Sequence, residues 1–401
     1  MFFRTIKSGV DPMRFEFATA NRILFGPGTL QEVAPMALGW GKRILLVTGR
    51  SPERAGQLLE GLESLAATVF LFNVPGEPTV ETVQSAVREA AKNGCGVIIG
   101  FGGGSAIDTG KAVAAVMPNR GDLLEYLELI GKGRQLTEPS LPFIAVPTTA
   151  GTGAEVTRNA VLASVEHRVK VSLRSPFMLP RAAVVDPELT CSLPPPVTAA
   201  TGLDALTQLI EPYVCNTPNP MTDALCREGI RRASTALPRA YRDGSDIEAR
   251  TDMSLASLFS GLTLANAKLG AVHGLAGPLG GVIPAPHGAI CARLLPLVME
   301  YNLKALQAKA PDSPVLARYA EVARLLTGNE KADAPDGVFW LNGLCTKLQV
   351  PALSRYGLDR GLIPAVVAQA RKASSMKGNP IELSEGELSE ILERALEEPG
   401  T

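Results

Sequence analysis

Apolar residues follow two rhythms along this chain, and the change from one to the other divides it. Four short runs, RILLVT at 43–48, VFLFN at 69–73, GVIIGF at 96–101 and FIAVP at 143–147, are too brief and too uniformly apolar for amphipathic helices. Each predicts a strand buried on both faces, as in a parallel sheet. Residues 52–66 and 79–93 between them carry apolar positions at helical spacing, with Thr79 placed as an N-cap. Strands alternating with helices predict a parallel sheet with crossovers. RFEFATANRILF at 14–25 alternates and stops at Gly26-Pro27-Gly28, which predicts an opening hairpin or an edge strand. NAVLAS and RVKVSL near 159–173 alternate as a hairpin expected on the sheet's edge, and AAVVDPEL at 182–189 closes this half. Pro194-Pro195-Pro196 marks a boundary. From Val197 to Leu396 the helical period repeats with no strand pattern. The expectation is an α/β domain over 1–193 and an all-helical domain over 194–401, with a ligand cleft between them.

Composition narrows the function. A chain of 401 residues has room for two domains and a large core. With 46% hydrophobic residues, 20% charged residues and a formal net charge of −1, there is no electrostatic basis for binding nucleic acid or an anionic membrane. No apolar run approaches the roughly 18 residues of a membrane span. The opening MFFRTIKSGVDPMRF lacks the apolar core and cleavage site of an export signal. Cys95, Cys191, Cys215, Cys226, Cys291 and Cys345 show no CxxC spacing. They predict reduced, mostly buried thiols in a cytosol, with neither a disulfide framework nor a Cys-based zinc site.

Candidate chemistry lies in two glycine loops and two later segments. GFGGGSAIDTGK at 100–111 reads as strand, glycine loop and helix, with Ser105 as N-cap. It has neither P-loop nor GxGxxG spacing. Its place at the C-terminal end of a parallel strand still predicts phosphate binding at the helix N-terminus. Asp108 and Lys111, three apart, could form a surface ion pair. PTTAGTG at 147–153 is a second loop whose hydroxyls could reach a nicotinamide, ribose or phosphate, and a structural turn fits it equally. In TGLDALTQLIEPY a helix opening after Gly202 places Asp204 and Gln208 on one face. VHGLAGPLGG and APHGA add His273 and His287. An acid and two imidazoles from separate segments are the ingredients of an N/O metal site with an open position, and capped or core histidines are the alternative. His167, among charged residues in VEHRVK, is expected at the surface.

In order, GGGSAIDTGK, PTTAGTGAEVT, LDALT, VHGLAGPLGG, APHGA and SSMKGNP at 374–380 resemble the iron-containing, or group III, alcohol dehydrogenase family. The resemblance covers roughly residues 20–396. It implies a dehydroquinate synthase-like fold, with a dinucleotide-binding α/β domain, an all-α domain and a divalent metal in the cleft. It also implies hydride transfer between a nicotinamide ring and a small alcohol or aldehyde, with the metal as Lewis acid. By position, it implies that Asp204, His273 and His287 are metal ligands at the centre of catalysis. Gly102, Gly103, Gly104 and Ser105 match its pyrophosphate loop, Asp108 the acid that follows, and Thr148, Thr149, Thr152 and Lys170 the nicotinamide half.

Three positions depart from the family pattern. Gln208 stands where a fourth ligand, a histidine, is usual, and offers at best a neutral amide oxygen to a metal. Gly277 replaces a further histidine, and Glu77 replaces the asparagine of a PNPT turn. Asp and two His suffice for catalytic zinc, so both Fe2+ and Zn2+ fit the expectation. After the strand at 43–48, Gly49 stands where an acid would bind the ribose 2′-OH, and Arg50 follows, which favours NADP over NAD. A homodimer or higher homo-oligomer in the cytoplasm is expected. The alternatives are a metal-independent reductase of the maleylacetate reductase type, with Lys268 as its candidate cation, a dehydroquinate synthase-like lyase, and a non-catalytic nucleotide-binding relative.

Overall fold

The computed structural model describes residues 14–399 except 120, 129, 165 and 168, so residues 1–13, where an export signal would begin, lie outside it. The strands are β1 (Ile23–Phe25), β2 (Arg43–Thr48), β3 (Thr68–Asn73), β4 (Val97–Gly102), β5 (Phe143–Pro147), β6 (Asn159–Ser164), β7 (Val169–Arg174) and β8 (Ala182–Val185). Helices α1 (Val33–Leu38), α2 (Gly56–Ser64), α3 (Val80–Lys92), α4 (Gly104–Val116) and the short α5 (Leu123–Tyr126) connect them. Six strands form one parallel sheet in the order β1-β8-β5-β4-β2-β3. Successive strand residues feed opposite cores, which is why the runs read as continuously apolar. Leu45, Val47 and Ile98 pack with Val83 of α3 and Val113 of α4. Ile44, Leu46 and Ile99 pack with Val33 of α1 and Leu58 of α2. Thr79 caps α3, its Oγ1 accepting from the Thr82 N–H at 3.1 Å.

From β2 the chain steps to β3 on one side and returns to β4 on the other. The crevice at the C-terminal ends of β2 and β4 is therefore the topological switch point, where open α/β sheets bind ligands. Two local expectations need correction. The β6–β7 hairpin is a separate antiparallel sheet and not an edge of the main one. Its Ala160, Leu162, Val171 and Leu173 join the α4 core. The edges of the main sheet are β3 and β1, the latter only three residues long. Before it, Asn266 takes the place of a strand partner, accepting from the Ala18 N–H at 2.6 Å and donating to the Ala18 carbonyl at 2.9 Å.

Beyond Val185 the described residues contain no strand. Helices α6 (Pro195–Val214), α7 (Pro220–Arg242), α8 (Ile247–Asn266), α9 (Ala271–Val282), α10 (His287–Lys309), α11 (Pro314–Thr327), α12 (Ala334–Lys347), α13 (Ile363–Ala370) and α14 (Glu385–Ala395) share a separate, larger core. Helix α6 opens at Pro195, ahead of the start after Gly202 read from sequence. Proline at the first helical position has its φ pre-set and lacks only an N–H that would be unpaired there. Gly202 lies inside the helix, where a Cβ would collide with Leu237 of α7. No single helix among the described residues is long and apolar enough to cross a membrane.

Candidate active site

The two glycine loops meet at the switch point. Gly102 ends β4 so close to its neighbours that a Cβ would stand 2.7 Å from the Ala106 side chain and 3.2 Å from the Gly49 amide nitrogen. Helix α4 then starts at Gly104 with Gly103 as its N-cap and no side-chain cap, so Ser105 lies inside the first turn and is not the cap. An uncapped helix N-terminus at a strand end presents N–H groups and a positive dipole end to an anion. The second loop packs against the first. The Thr148 N–H donates to the Gly102 carbonyl at 2.9 Å. Thr149 faces Gly103, and Thr152 faces Gly104.

Gly153 adopts φ +61°, and its Cβ would collide with Gly261 of α8, so this loop also seats the sheet against the helical half. Asp108 and Lys111 are not a surface pair. Lys111 is buried, donating to the Ala154 carbonyl, the Thr157 hydroxyl and the Asn159 carbonyl at 2.7–2.9 Å. Asp108 accepts from the Val161 N–H at 3.0 Å. Both residues therefore tie α4 to the hairpin. At the end of β2, Asn73 donates to the Gly49 carbonyl. Arg50 is exposed and donates to the Pro75 carbonyl at 3.1 Å.

In the helical half, three helices converge. Asp204 lies mid-way along α6, His273 in the first turn of α9, and His287 opens α10. Asp204 is buried and its Oδ1 has no hydrogen-bond partner. That oxygen lies 3.6 Å from His273 Nε2 and 3.9 Å from His287 Nε2. Sequence reasoning missed two residues here. Cys291 follows His287 by one helical turn, and its Sγ lies 3.6 Å from His287 Nε2 and 3.9 Å from His273 Nε2. Glu211, two turns after Asp204, accepts from His273 Nδ1 at 2.6 Å and from the Val272 N–H at 2.7 Å. This fixes the ring and aims Nε2 at the cluster. Both were within reach of the i, i+4 and i, i+7 rule once Asp204 and His287 had been singled out. Donor atoms of Asp204, His273, His287 and Cys291 all lie within 4.8 Å of one another.

The ionisable groups of the cluster are shifted in different directions. Burial disfavours the His273 imidazolium, but its neighbours Cys291, Asp204 and Glu211 outweigh it and hold its pKa well above the ordinary value. Burial would also raise Asp204, yet His273, His287 and Gln208 hold it below the usual carboxylate range. His287 is lowered, chiefly by burial. It forms the open side, with 34% of its side chain exposed. Gln208 is buried one turn after Asp204, with its Oε1 3.3 Å from the Ser260 hydroxyl, whose nearer acceptor is the Ser257 carbonyl at 2.8 Å. The Ser260 oxygen also lies 3.3 Å from the Gly151 carbonyl of the second loop. Lys170 bonds Glu77 at 2.7 Å, so the PNPT-turn departure is matched by an ion pair. His167 is exposed, and so is Lys268.

Family models match both halves of the chain. The iron-containing alcohol dehydrogenase model covers residues 20–187, and the C-terminal model of Fe-containing alcohol dehydrogenases covers 198–396. The chain belongs to the iron-containing alcohol dehydrogenase family. It is 36% identical over 374 residues to choline dehydrogenase of Bacillus subtilis (strain 168), covering 91% of this chain and 90% of that protein. The crystal structure of a 1,3-propanediol oxidoreductase superposes with a TM-score of 0.88 at 33% identity, covering 96% and 100% of the two chains. Sulfoacetaldehyde reductase from Bifidobacterium kashiwanohense, solved in complex with NAD+, superposes at 0.84 with 28% identity, covering 96% and 99%. As an iron-containing alcohol dehydrogenase, this chain is an oxidoreductase, and the α/β and helical halves expected from sequence are those of its structural neighbours.

Proposed function

We propose that the chain is a metal-dependent, NADP-linked alcohol dehydrogenase that interconverts a small alcohol and its aldehyde. The observation carrying this reading is the unpartnered Asp204 Oδ1, buried between two imidazole nitrogens at 3.6 and 3.9 Å. A buried carboxylate oxygen without a partner is costly, and a cation among the three groups removes that cost. Asp204, His273 and His287 would hold Fe2+ or Zn2+, with Glu211 fixing His273 from behind. When bound, the metal supplies Lewis acidity toward the substrate oxygen, and the nicotinamide ring supplies or accepts the hydride.

On this reading, residues 1–193 serve the dinucleotide and residues 194–401 the metal. Gly102, Gly103, Gly104 and Ser105 would take the pyrophosphate at the α4 N-terminus. Thr148, Thr149, Thr152 and Lys170 would line the nicotinamide half. Gly49 places no carboxylate against a 2′-phosphate, and the exposed Arg50 guanidinium suits one. Gly277 offers no proton acceptor, so proton exchange falls to solvent on the exposed side of His287. The metal-independent alternative rests on Lys268, which is exposed beside the Gly378 backbone.

Metal analysis of anaerobically purified protein, with NADPH and NADH titrated into the same sample, tests this reading. One iron or zinc per chain and tighter NADPH binding is expected. His273→Ala and His287→Ala should each lower aldehyde reduction by at least about 100-fold. Arg50→Ala should weaken NADPH about tenfold and leave NADH unchanged. Full turnover by the metal-stripped histidine variants would overturn the reading.

A further inference from the structure

We propose that Cys291 is the fourth protein donor of the metal centre, making it an Asp-His-His-Cys site suited to zinc. The inference rests on the metal reading of Asp204, His273 and His287, and it concerns what stands in for the ligand lost at Gln208. Gln208 offers only a neutral amide oxygen, a poor stand-in for an imidazole, so the vacancy is only weakly filled from α6. It is filled from α10. Cys291 is fully buried one turn after His287, so both side chains leave the same helix face toward the cluster.

The distances have the right scale. Ligands 2.0–2.3 Å from a tetrahedral zinc stand about 3.3–3.8 Å from one another. Four of the six edges are 3.6 and 3.9 Å from Sγ to the two Nε2 atoms and 3.6 and 3.9 Å from Asp204 Oδ1 to the same atoms, and all six lie within 4.8 Å. The sulfur and the unpartnered oxygen thus share the same two imidazole neighbours, as two corners of one tetrahedron share the other two. A soft thiolate beside two imidazoles moves the donor set away from ferrous iron and toward zinc. His287 keeps a third of its side chain exposed, so the centre stays open on that side for an expanded coordination number.

Cobalt(II) reports the donor directly. The full chain, stripped of metal with a chelator and reloaded with cobalt, should show visible d–d bands together with a near-ultraviolet thiolate-to-cobalt charge-transfer band. Cys291→Ser should lose the charge-transfer band, and zinc affinity by chelator competition should fall at least about 10–100-fold. Cys345→Ser, a second buried thiol, should leave both unchanged. If wild-type cobalt protein shows d–d bands without the thiolate band, Cys291 is not a ligand and only this inference falls. If wild-type protein takes up neither cobalt nor zinc, the metal reading falls with it. Should Cys291→Ser fail to fold, zinc X-ray absorption on the wild-type protein decides. One sulfur at about 2.3 Å supports the assignment, and a shell of nitrogen and oxygen alone overturns it.

Discussion

Glu155 is buried at the inner end of the second glycine loop, close enough to Lys111 to feel its charge. Burial raises its pKa from 4.5 to about 7, against the opposing pull of a backbone hydrogen bond and of Lys111. The folded state therefore binds this proton more tightly than the unfolded chain does. Stability is fully present below about pH 4.5 and is lost as pH rises toward 7. The loss should be about 1–3 kcal/mol. Burial raises Asp108 too, which adds a slope of the same sign. Glu155→Gln should flatten the fall in melting temperature between pH 5 and 7, and an unchanged slope would refute the assignment. Glu155 shows what sequence conceals at this scale. Asp204, His273 and His287 were legible because their residue types announce metal chemistry. Cys291 was passed over because thiol spacing was compared only with other cysteines, and its partners are histidines from α9 and α10. Lys111 and Asp108 looked like a surface pair because i, i+3 spacing says nothing of the hairpin that covers them.

Glycines separate elements that tolerate change from elements that do not. Gly153 has φ +61° and meets the backbone of Gly261, so it needs both the left-handed conformation and the missing side chain. Gly343, exposed within α12, has open space around its Cβ position. The same substitution should have opposite signs at the two sites. Gly153→Ala should cost about 2–5 kcal/mol from backbone strain and overpacking. Gly343→Ala should stabilise by about 0.5–1 kcal/mol through helix propensity. Thermal melts of the two variants check both signs, and equal effects would contradict the close seating of the loop on α8. Element type was largely readable from periodicity, since the strands of a doubly covered sheet are short and uniformly apolar and α3 announces its cap at Thr79. The misplaced features depend on distant partners. The hairpin reads as an edge until α4 is seen beneath it, and alternation before β1 gives no hint that Asn266 stands in for a strand.

The two halves are joined at points that leave little room to slide. Gly153 packs on Gly261, and the Cβ positions of Gly151 and Gly280 are filled by Thr201 of α6 and Lys170 of β7. Lys170 in turn pairs with Glu77 within the α/β half. A metal held by α6, α9 and α10 would bind only the folded state, and would stabilise it by RT ln(1 + [M]/Kd), about 2.7 kcal/mol at a free concentration 100 times Kd. If the helical half unfolds as its own unit, each kcal/mol moves its midpoint by about 2–4 °C, so chelation should lower that midpoint by about 5–10 °C. If the tight seams make the chain unfold as one body, the entropy of unfolding roughly doubles and the shift halves, with the sheet melting at the same temperature. Calorimetry with chelator and then with zinc distinguishes the two, by the size of the shift and by the number of transitions it touches. His273→Ala should abolish the response in either case. A wild-type midpoint indifferent to both chelator and zinc would mean that no ion binds the folded chain, whatever the convergence of Asp204, His273, His287 and Cys291.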